Sequence, residues 1–348
     1  MGQAMKSAFY AAVTVAASIT VTSSALGQGS CDRECLRTML DRYLAAVVAH
    51  DPSAAPVVVG FRQTENAINV APGDGMWRSV TGLGEVQRKY FDPISGQAAY
   101  YGTVEEGDAT AIVTVRVRVE NRAITEAEWY IARENDPGLS GPRQPGRPPA
   151  NLHNPAYLAQ NPPPQRGVPR AEGADRATLI RIVDSYFDAI TSRDRKVALA
   201  HEGCGRVENG SPAPAGQFLP PATPANAAAT PANAPAASAT PPGPGSRDCL
   251  AGLENFNLQM VVARRIPLVD EEAQVVLSYG VFIRRPGSPT PRNVFSEWFV
   301  IDEAKIRTIY TAMFYPPPEL AVPNWPPYDG NWPLPATIVP APAAPAAR

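Results

Sequence analysis

Arg62, Glu65 and Asn66 bring a cation, a carboxylate and an amide within five residues. A carboxylate enclosed by apolar surface has its pKa raised by desolvation and can accept a proton near neutrality. On that reading Glu65 is a general base, Arg62 orients it or a substrate anion, and Asn66 contacts a ligand. Tyr43 stands on the inward stripe of an expected helix, where a phenol can donate to a developing oxyanion. Glu128 supplies a second carboxylate, and two carboxylates in one cavity divide acid and base roles between them. Trp77, Tyr101 and Tyr130 offer rings to a flat ligand. The competing reading is structural. Arg62 and Glu65 would then clamp a strand end, Asn66 would complete a turn, and Glu128 would pair across strands with Arg116 or Arg118.

These residue types occur twice. Asp41-Arg-Tyr43 returns as Asp184-Ser-Tyr186, and the Arg62, Glu65, Asn66 set returns as Arg206, Glu208, Asn209. Gly82-Leu83 matches Gly252-Leu253, and Glu128-Trp129-Tyr130-Ile131 matches Glu297-Trp298-Phe299-Val300. The offset is 143 from Tyr43 to Tyr186 and 169 from Glu128 to Glu297, so the second copy carries an insertion of about 26 residues. Repetition on this scale predicts two domains of one fold.

Apolar residues at helical spacing predict a helix over 32–50 that ends at His50-Asp51-Pro52. Short extended pieces follow over 57–70, then a second, shorter helix over 76–90. Strands are expected at 97–105, 111–120 and 123–133, with a hairpin turn at Asn121-Arg122. The second copy repeats this with a helix at 175–193, a short helix near 195–202, and strands near 258–267, 273–285, 293–302 and 305–315. Period-two alternation places Glu126, Glu128 and Tyr130 on one strand face and Ala127, Trp129 and Ile131 on the other. The first of these faces, mixing polar and aromatic groups, suits a pocket, and the other suits the helix-packed core or a second sheet.

Helices followed by antiparallel strands, twice over, give an α+β class. Each unit resembles the nuclear-transport-factor-2-like, or SnoaL-like, superfamily. The resemblance implies two tandem cone-shaped domains, each a long helix packed on a curved antiparallel sheet with a pocket between them. The first copy also resembles a family of uncharacterised secreted bacterial and fungal proteins. It does so through Cys31-x-x-x-Cys35-Leu36, His50-Asp51-Pro52-Ser53, Thr64-Glu65-Asn66, Gly73-Asp74-Gly75-Met76-Trp77 and Tyr100-Tyr101-Gly102. Superfamily members include isomerases, dehydratases, cyclases and non-catalytic modules, so the fold leaves the function open.

Residues 1–27 read as a signal peptide: Lys6, an apolar run from Ala8 to Val21, and Ala25-Leu26-Gly27 as a cleavage site. The expected location is therefore periplasmic or secreted. There the four cysteines are expected to pair, and Cys31–Cys35 with Cys204–Cys249 is the preferred arrangement. The first domain spans 28–134, a Pro/Gly-rich linker 135–174, and the second domain 175–315. The Ala/Pro insert 211–247 has too few large apolar residues to offset its ordering entropy and is expected to be disordered. A Pro/Trp-rich strap and tail occupy 316–348. Charged residues make up 18% of the chain and the formal net charge is −2, with no basic stripe of the kind nucleic acids require. His50, His153 and His201 show no metal spacing, and no nucleotide or hydrolase motif appears, so neither a cofactor nor a metal is expected.

Together these observations predict an exported protein that binds a small organic molecule, a ring compound or an acidic sugar. Its chemistry would be cofactor-free isomerisation, dehydration or β-elimination. The alternative is a non-catalytic binding or envelope scaffold built as an intramolecular pseudo-dimer, with a homo-oligomer as a further option. The Gly-Asp-Gly-Met-Trp segment is missing from the second copy, so a single active pocket is expected in the first.

Overall fold

A computed structural model describes residues 31–139, 141–142, 152–212, 247–253 and 257–317. The leader at 1–27, nearly all of the 211–247 insert and the tail beyond 317 lie outside the described residues. The first half runs α1 (Arg33–Val48), β1 (Val57–Glu65), β2 (Ile68–Val70), α2 (Met76–Ser79), β3 (Gly82–Asp92), β4 (Gln97–Glu106), β5 (Ala109–Glu120) and β6 (Ala123–Ala132). A connector follows with the short α3 (Pro155–Gln160). The second half runs α4 (Arg176–Ser192), β7 (Ala200–Glu208), β8 (Ser211–Pro212), β9 (Arg247–Asp248), β10 (Leu258–Asp270), β11 (Val275–Arg284), β12 (Arg292–Asp302) and β13 (Lys305–Phe314).

Both long helices start on an aspartate cap. Asp32 accepts from the Cys35 backbone N–H and Asp175 from that of Thr178, each satisfying a donor that the first turn leaves open. Leu36, Met39, Leu40, Tyr43, Leu44 and Val47 of α1 are buried, as are Leu179, Ile182, Val183, Tyr186, Phe187 and Ile190 of α4. Asn121 and Arg122 take φ of 50° and 61°, the left-handed pair that a tight hairpin needs between β5 and β6. Two expected helices are much shorter than the sequence suggests. Residues 76–90 yield only the single turn of α2 before β3 begins, because Gly82 and Gly84 weaken a helix and the rest pairs along β4. The short helix near 195–202 is a 3₁₀ turn over Arg195–Val197, and β7 starts at Ala200.

The fold is α+β with two mixed sheets. The first sheet has the order β2-β1-β6-β5-β4-β3, and the second β10-β11-β12-β13-β7-β8 with β9 added on β7. In each, the strand after the long helix lies parallel to the last long strand of its half, while the other neighbours are antiparallel. The long helix of each half packs on one face of its own sheet. The opposite faces pack on each other through Tyr101, Tyr130, Leu277, Tyr279, Trp298 and Tyr310. The connector is laid against that junction. Arg88 donates to the Pro163 carbonyl at 2.6 Å, and the Tyr90 and Tyr310 hydroxyls reach those of Pro164 and Pro162.

Side-chain-to-backbone pairs fix the correspondence between halves. Asn66 clasps both the N–H and C=O of Ile131, and Asn209 does the same to Met313. So β6 corresponds to β13, and Trp129 to Thr311. Trp129 pairs with Val115 and Thr311 with Glu297, so Glu297 stands where the first half has Val115. The sequence match of Glu128 to Glu297 is therefore a register error between neighbouring strands. By the same spacing Arg206 corresponds to Gln63, not to Arg62.

Candidate functional site

Between α1 and the first sheet lies a closed polar chain. The Tyr43 hydroxyl donates to Gln63 Oε1 at 2.7 Å and accepts from the Trp129 indole at 2.9 Å. The Trp77 indole donates to the same Gln63 oxygen at 2.7 Å. Gln63 Nε2 donates to Glu65 Oε1 at 3.0 Å, and that oxygen also accepts from the Met76 backbone N–H at 2.8 Å. Burial pushes the Glu65 carboxyl above its usual range, against the pull of those two hydrogen bonds and of Arg133. Burial pushes Tyr43 up as well. Glu65, Tyr43 and Trp77 thus share one cluster. Its donors and acceptors satisfy one another, and Glu65 caps the single turn of α2.

The remaining expected residues lie elsewhere. Asn66 is a β1–β6 clasp. Glu128, Tyr130 and Tyr101 are on the opposite sheet face, at the junction with the second half. Along β6 the Ala127–Trp129–Ile131 face packs in the core under α1, as the alternation predicts, whereas the Tyr130 face, expected to suit a pocket, packs on the second sheet. Glu128 accepts from Arg116 at 2.7 Å and from both terminal nitrogens of Arg265 at 2.9 Å. Burial raises its pKa, but the two guanidiniums outweigh that and hold it at about 2. Tyr130 stacks on Tyr279 with centroids 4.6 Å apart, and Tyr101 meets Trp298 and Tyr310. Arg62 responds to Glu126 and Glu128 and stands off the Glu65 cluster; burial lowers its pKa to about 10. It therefore does not orient Glu65, and Glu65 and Glu128 do not converge.

The corresponding row in the second half is built differently. Ser278, Glu297, Thr311 and Glu208 sit side by side on β11, β12, β13 and β7. In the first half that row reads Tyr100, Val115, Trp129 and Glu65. Two large side chains are replaced by small hydroxyls and an aliphatic one by a carboxylate. Arg206 donates to Glu297 Oε1 at 2.8 Å and to the Tyr186 hydroxyl at 3.0 Å, and stands 3.7 Å from Glu208. Glu208 is covered by Tyr315, whose hydroxyl donates to it at 2.5 Å. Phe295 and Phe299 flank Glu297 on its own strand face, and Phe187 packs on both.

Ser278, Glu297 and Thr311 are fully buried, yet Ser278 Oγ, Glu297 Oε2 and Thr311 Oγ1 have no hydrogen-bond partner among the described residues. Leaving such a group unpaired costs about 1–3 kcal/mol. Burial raises the Glu297 pKa and outweighs the lowering by Arg206. Burial works the other way on Arg206, but Tyr186, Glu297 and Glu208 hold its charge firmly. Sequence matching named Glu297 only as an echo of Glu128. Ser278 and Thr311 carry no motif; only strand register brings them together.

The expected disulfides are present, Cys31–Cys35 and Cys204–Cys249, each with Cα atoms 5.2 Å apart. The second one ties β7 to the segment around Leu250 and Leu253, which enters the core under α4. No described helix is long and apolar enough to cross a membrane. Residues 172–313, the second half, match the model of a family described as a domain of unknown function, DUF8021. Neither the curated proteins nor the solved structures give a match to this chain.

Proposed function

We propose that this is an exported small-molecule-binding protein whose binding site is the polar row under α4 in the second half. The first half is its structural partner, and the two form an intramolecular pseudo-dimer of cone-like domains. The observation that carries the reading is the set of three unpartnered oxygens on the buried side chains of Ser278, Glu297 and Thr311. Buried polar groups are normally satisfied, and three unpaired ones side by side under a helix support a binding role in which bound groups complete them. The first half supports the opposite role for itself: its counterpart cluster is internally paired. The two disulfides support an oxidising compartment.

Glu297 also has the attributes of a cofactor-free acid–base group. Its carboxyl is buried with its pKa raised, one oxygen is anchored by Arg206, the other has no partner, and Ser278 and Thr311 are its cross-strand neighbours. In an isomerisation, dehydration or β-elimination, Oε2 would take the substrate proton while Ser278 and Thr311 hold its oxygens. The test is a thermal-shift screen of the intact chain and Glu297→Gln against sugars, lactones, uronic acids, phenolics and steroids, followed by mass spectrometry. A compound that stabilises both proteins and is altered only by the wild type supports catalysis at Glu297. A compound that stabilises the wild type and is never altered supports binding alone. Equal stabilisation of both proteins with equal turnover would place the site elsewhere.

A further inference from the structure

We infer that the cleft between α1, β3 and the connector is a second binding site, separate from the row under α4. It takes a small organic dianion whose charge is carried on oxygens, as in a phosphate monoester or a dicarboxylate. The cleft has a volume of about 280 Å³, at the small end of ligand pockets. Both halves and the connector line it, and they bring Arg33, Arg37, Lys89 and Arg166 against one carboxylate, Glu272. Two of these cations serve the fold. Arg33 is bound to the buried Asp270, and Lys89 gives one of its three protons to Asp41 at 2.7 Å. The other two have no buried counterion. Arg37 meets only Glu34, through Nε at 3.2 Å, and Glu34 is 77% exposed. The two terminal nitrogens of Arg37 have no hydrogen-bond partner among the described residues. Arg166 gives Nη2 to the Ile301 carbonyl, and its Nη1 stands 3.4 Å from the half-exposed Asp302. Arg33 and Arg37 lie over the same Phe91 ring, 5.1 and 4.7 Å from its centre. A guanidinium over a ring keeps its edge N–H groups for a carboxylate or phosphate, which it grips with two parallel bonds. Like charges one helical turn apart repel, and an oxyanion in the cleft relieves that repulsion. Glu272 is 60% exposed, so water screens its opposing charge.

The duplication supplies an internal comparison. Arg33 recurs in the second half as Arg176, which binds Asp92 as Arg33 binds Asp270. By the same helix spacing Arg37 corresponds to Ile180. Phe91 and Val269 each donate a backbone N–H to the aspartate of the opposite half, so Lys89, two residues before Phe91, corresponds to Pro267. Arg166 belongs to the connector, which occurs once. Cations that only joined the halves would be needed at both places. Arg33 alone meets that requirement, and the other three are gathered at this cleft without a counterpart across the junction.

The test is titration calorimetry of the intact chain with glycerol phosphate, succinate and, as the neutral comparison, glycerol. The variants are Arg37→Gln, Arg166→Gln and, as a control for net charge, Arg181→Gln on the exposed side of α4. Each is checked for an unchanged melting transition, and Arg37→Gln carries the test should Arg166→Gln loosen the connector. The expected result is that glycerol phosphate or succinate binds and glycerol does not. Arg37→Gln and Arg166→Gln should each weaken that binding about 10-fold or more, the value of a hydrogen bond to a charged group. Arg181→Gln and Glu297→Gln should leave it unchanged. Tighter binding of glycerol phosphate than of succinate supports the site with a phosphate as its anion, and the reverse order supports it with carboxylates. Failure of both anions to bind would overturn the inference, as would binding that Arg37→Gln leaves intact or that Arg181→Gln weakens equally.

Discussion

Arg33 and Arg176, 143 positions apart, make the same contact in opposite directions across the junction. Arg33 forms a bidentate pair with Asp270 at 2.8 and 2.9 Å, and Arg176 Nη1 bridges both oxygens of Asp92 at 2.9 and 2.8 Å. Each aspartate ends the strand that carries it and also accepts from the partner half's backbone: Asp270 from Phe91 and Asp92 from Val269. Contacts that recur with the two halves exchanged are the mark of a two-fold interface. Here the two-fold relates parts of one chain.

Removal of Asp270 should be costly. Its side chain is fully buried, and it holds Arg33 and the N–H groups of Phe91 and Ala273. Asp270→Ala is expected to destabilise the protein by roughly 3–5 kcal/mol. The Arg33→Ala, Asp270→Ala double variant should fall short of additivity by about 1–3 kcal/mol. Urea denaturation measures both. A single-variant loss below about 1 kcal/mol would show that the junction does not depend on this contact.

Acid should weaken the junction through Glu128. Its folded pKa of about 2 lies below the ordinary value of 4.5. A depressed carboxyl contributes stability above the unfolded pKa and loses it as pH falls through the folded one. The window is therefore pH 4.5 down to 2, and the contribution is on the order of 3 kcal/mol. Glu128→Gln should flatten the wild-type decline in this window, read from melting temperatures in a pH series. A parallel decline in both proteins would assign acid sensitivity to other groups.

In the first half, Gln63 should matter more than Glu65. Gln63→Leu strands the hydroxyl of Tyr43 and the indole of Trp77, a cost of roughly 2–4 kcal/mol. Glu65→Gln keeps an oxygen for the Met76 N–H and should cost about 1 kcal/mol. Neither variant should alter ligand binding. Lost binding in folded Glu65→Gln would restore the first half as the active one.

The two disulfides should contribute unequally. Cys204–Cys249 closes a separation of 45 residues and Cys31–Cys35 one of 4. On the chain-entropy account these are worth about 4 and 2 kcal/mol. Cys204→Ser with Cys249→Ser should therefore lower the urea midpoint more than Cys31→Ser with Cys35→Ser. The reverse order would mean that the first pair's anchoring of α1 outweighs the entropy of the longer loop.

Sequence reasoning located the long helices and the antiparallel strands because their periodicity and caps are local. It failed where neighbours decide. Gly82 to Asp92 carries no decisive period and becomes a strand only because β4 lies beside it. The Glu-Trp pair at 128–129 resembles the pair at 297–298, but these sit on different strands of their sheets. Only the Asn66 and Asn209 clasps reveal the true register. The Glu65–Tyr43–Trp77 grouping was legible, since it follows from a helix stripe above a strand. The Ser278–Glu297–Thr311 row was not, because three unremarkable residues far apart in the chain meet only through pairing.

Arg116 and Trp298 occupy corresponding positions, one on β5 and one on β12. In a dimer of identical subunits a single codon would dictate both places, and every substitution would appear twice. Fusion of the copies lifts that rule. One side of the junction has become ionic around Arg116, Glu128 and Arg265, and the other aromatic around Trp298, Tyr90 and Tyr310. The same freedom reaches the two interiors. One copy fills its centre with tryptophan, while its twin keeps polar groups that a protein obliged to be symmetric would have to carry in duplicate.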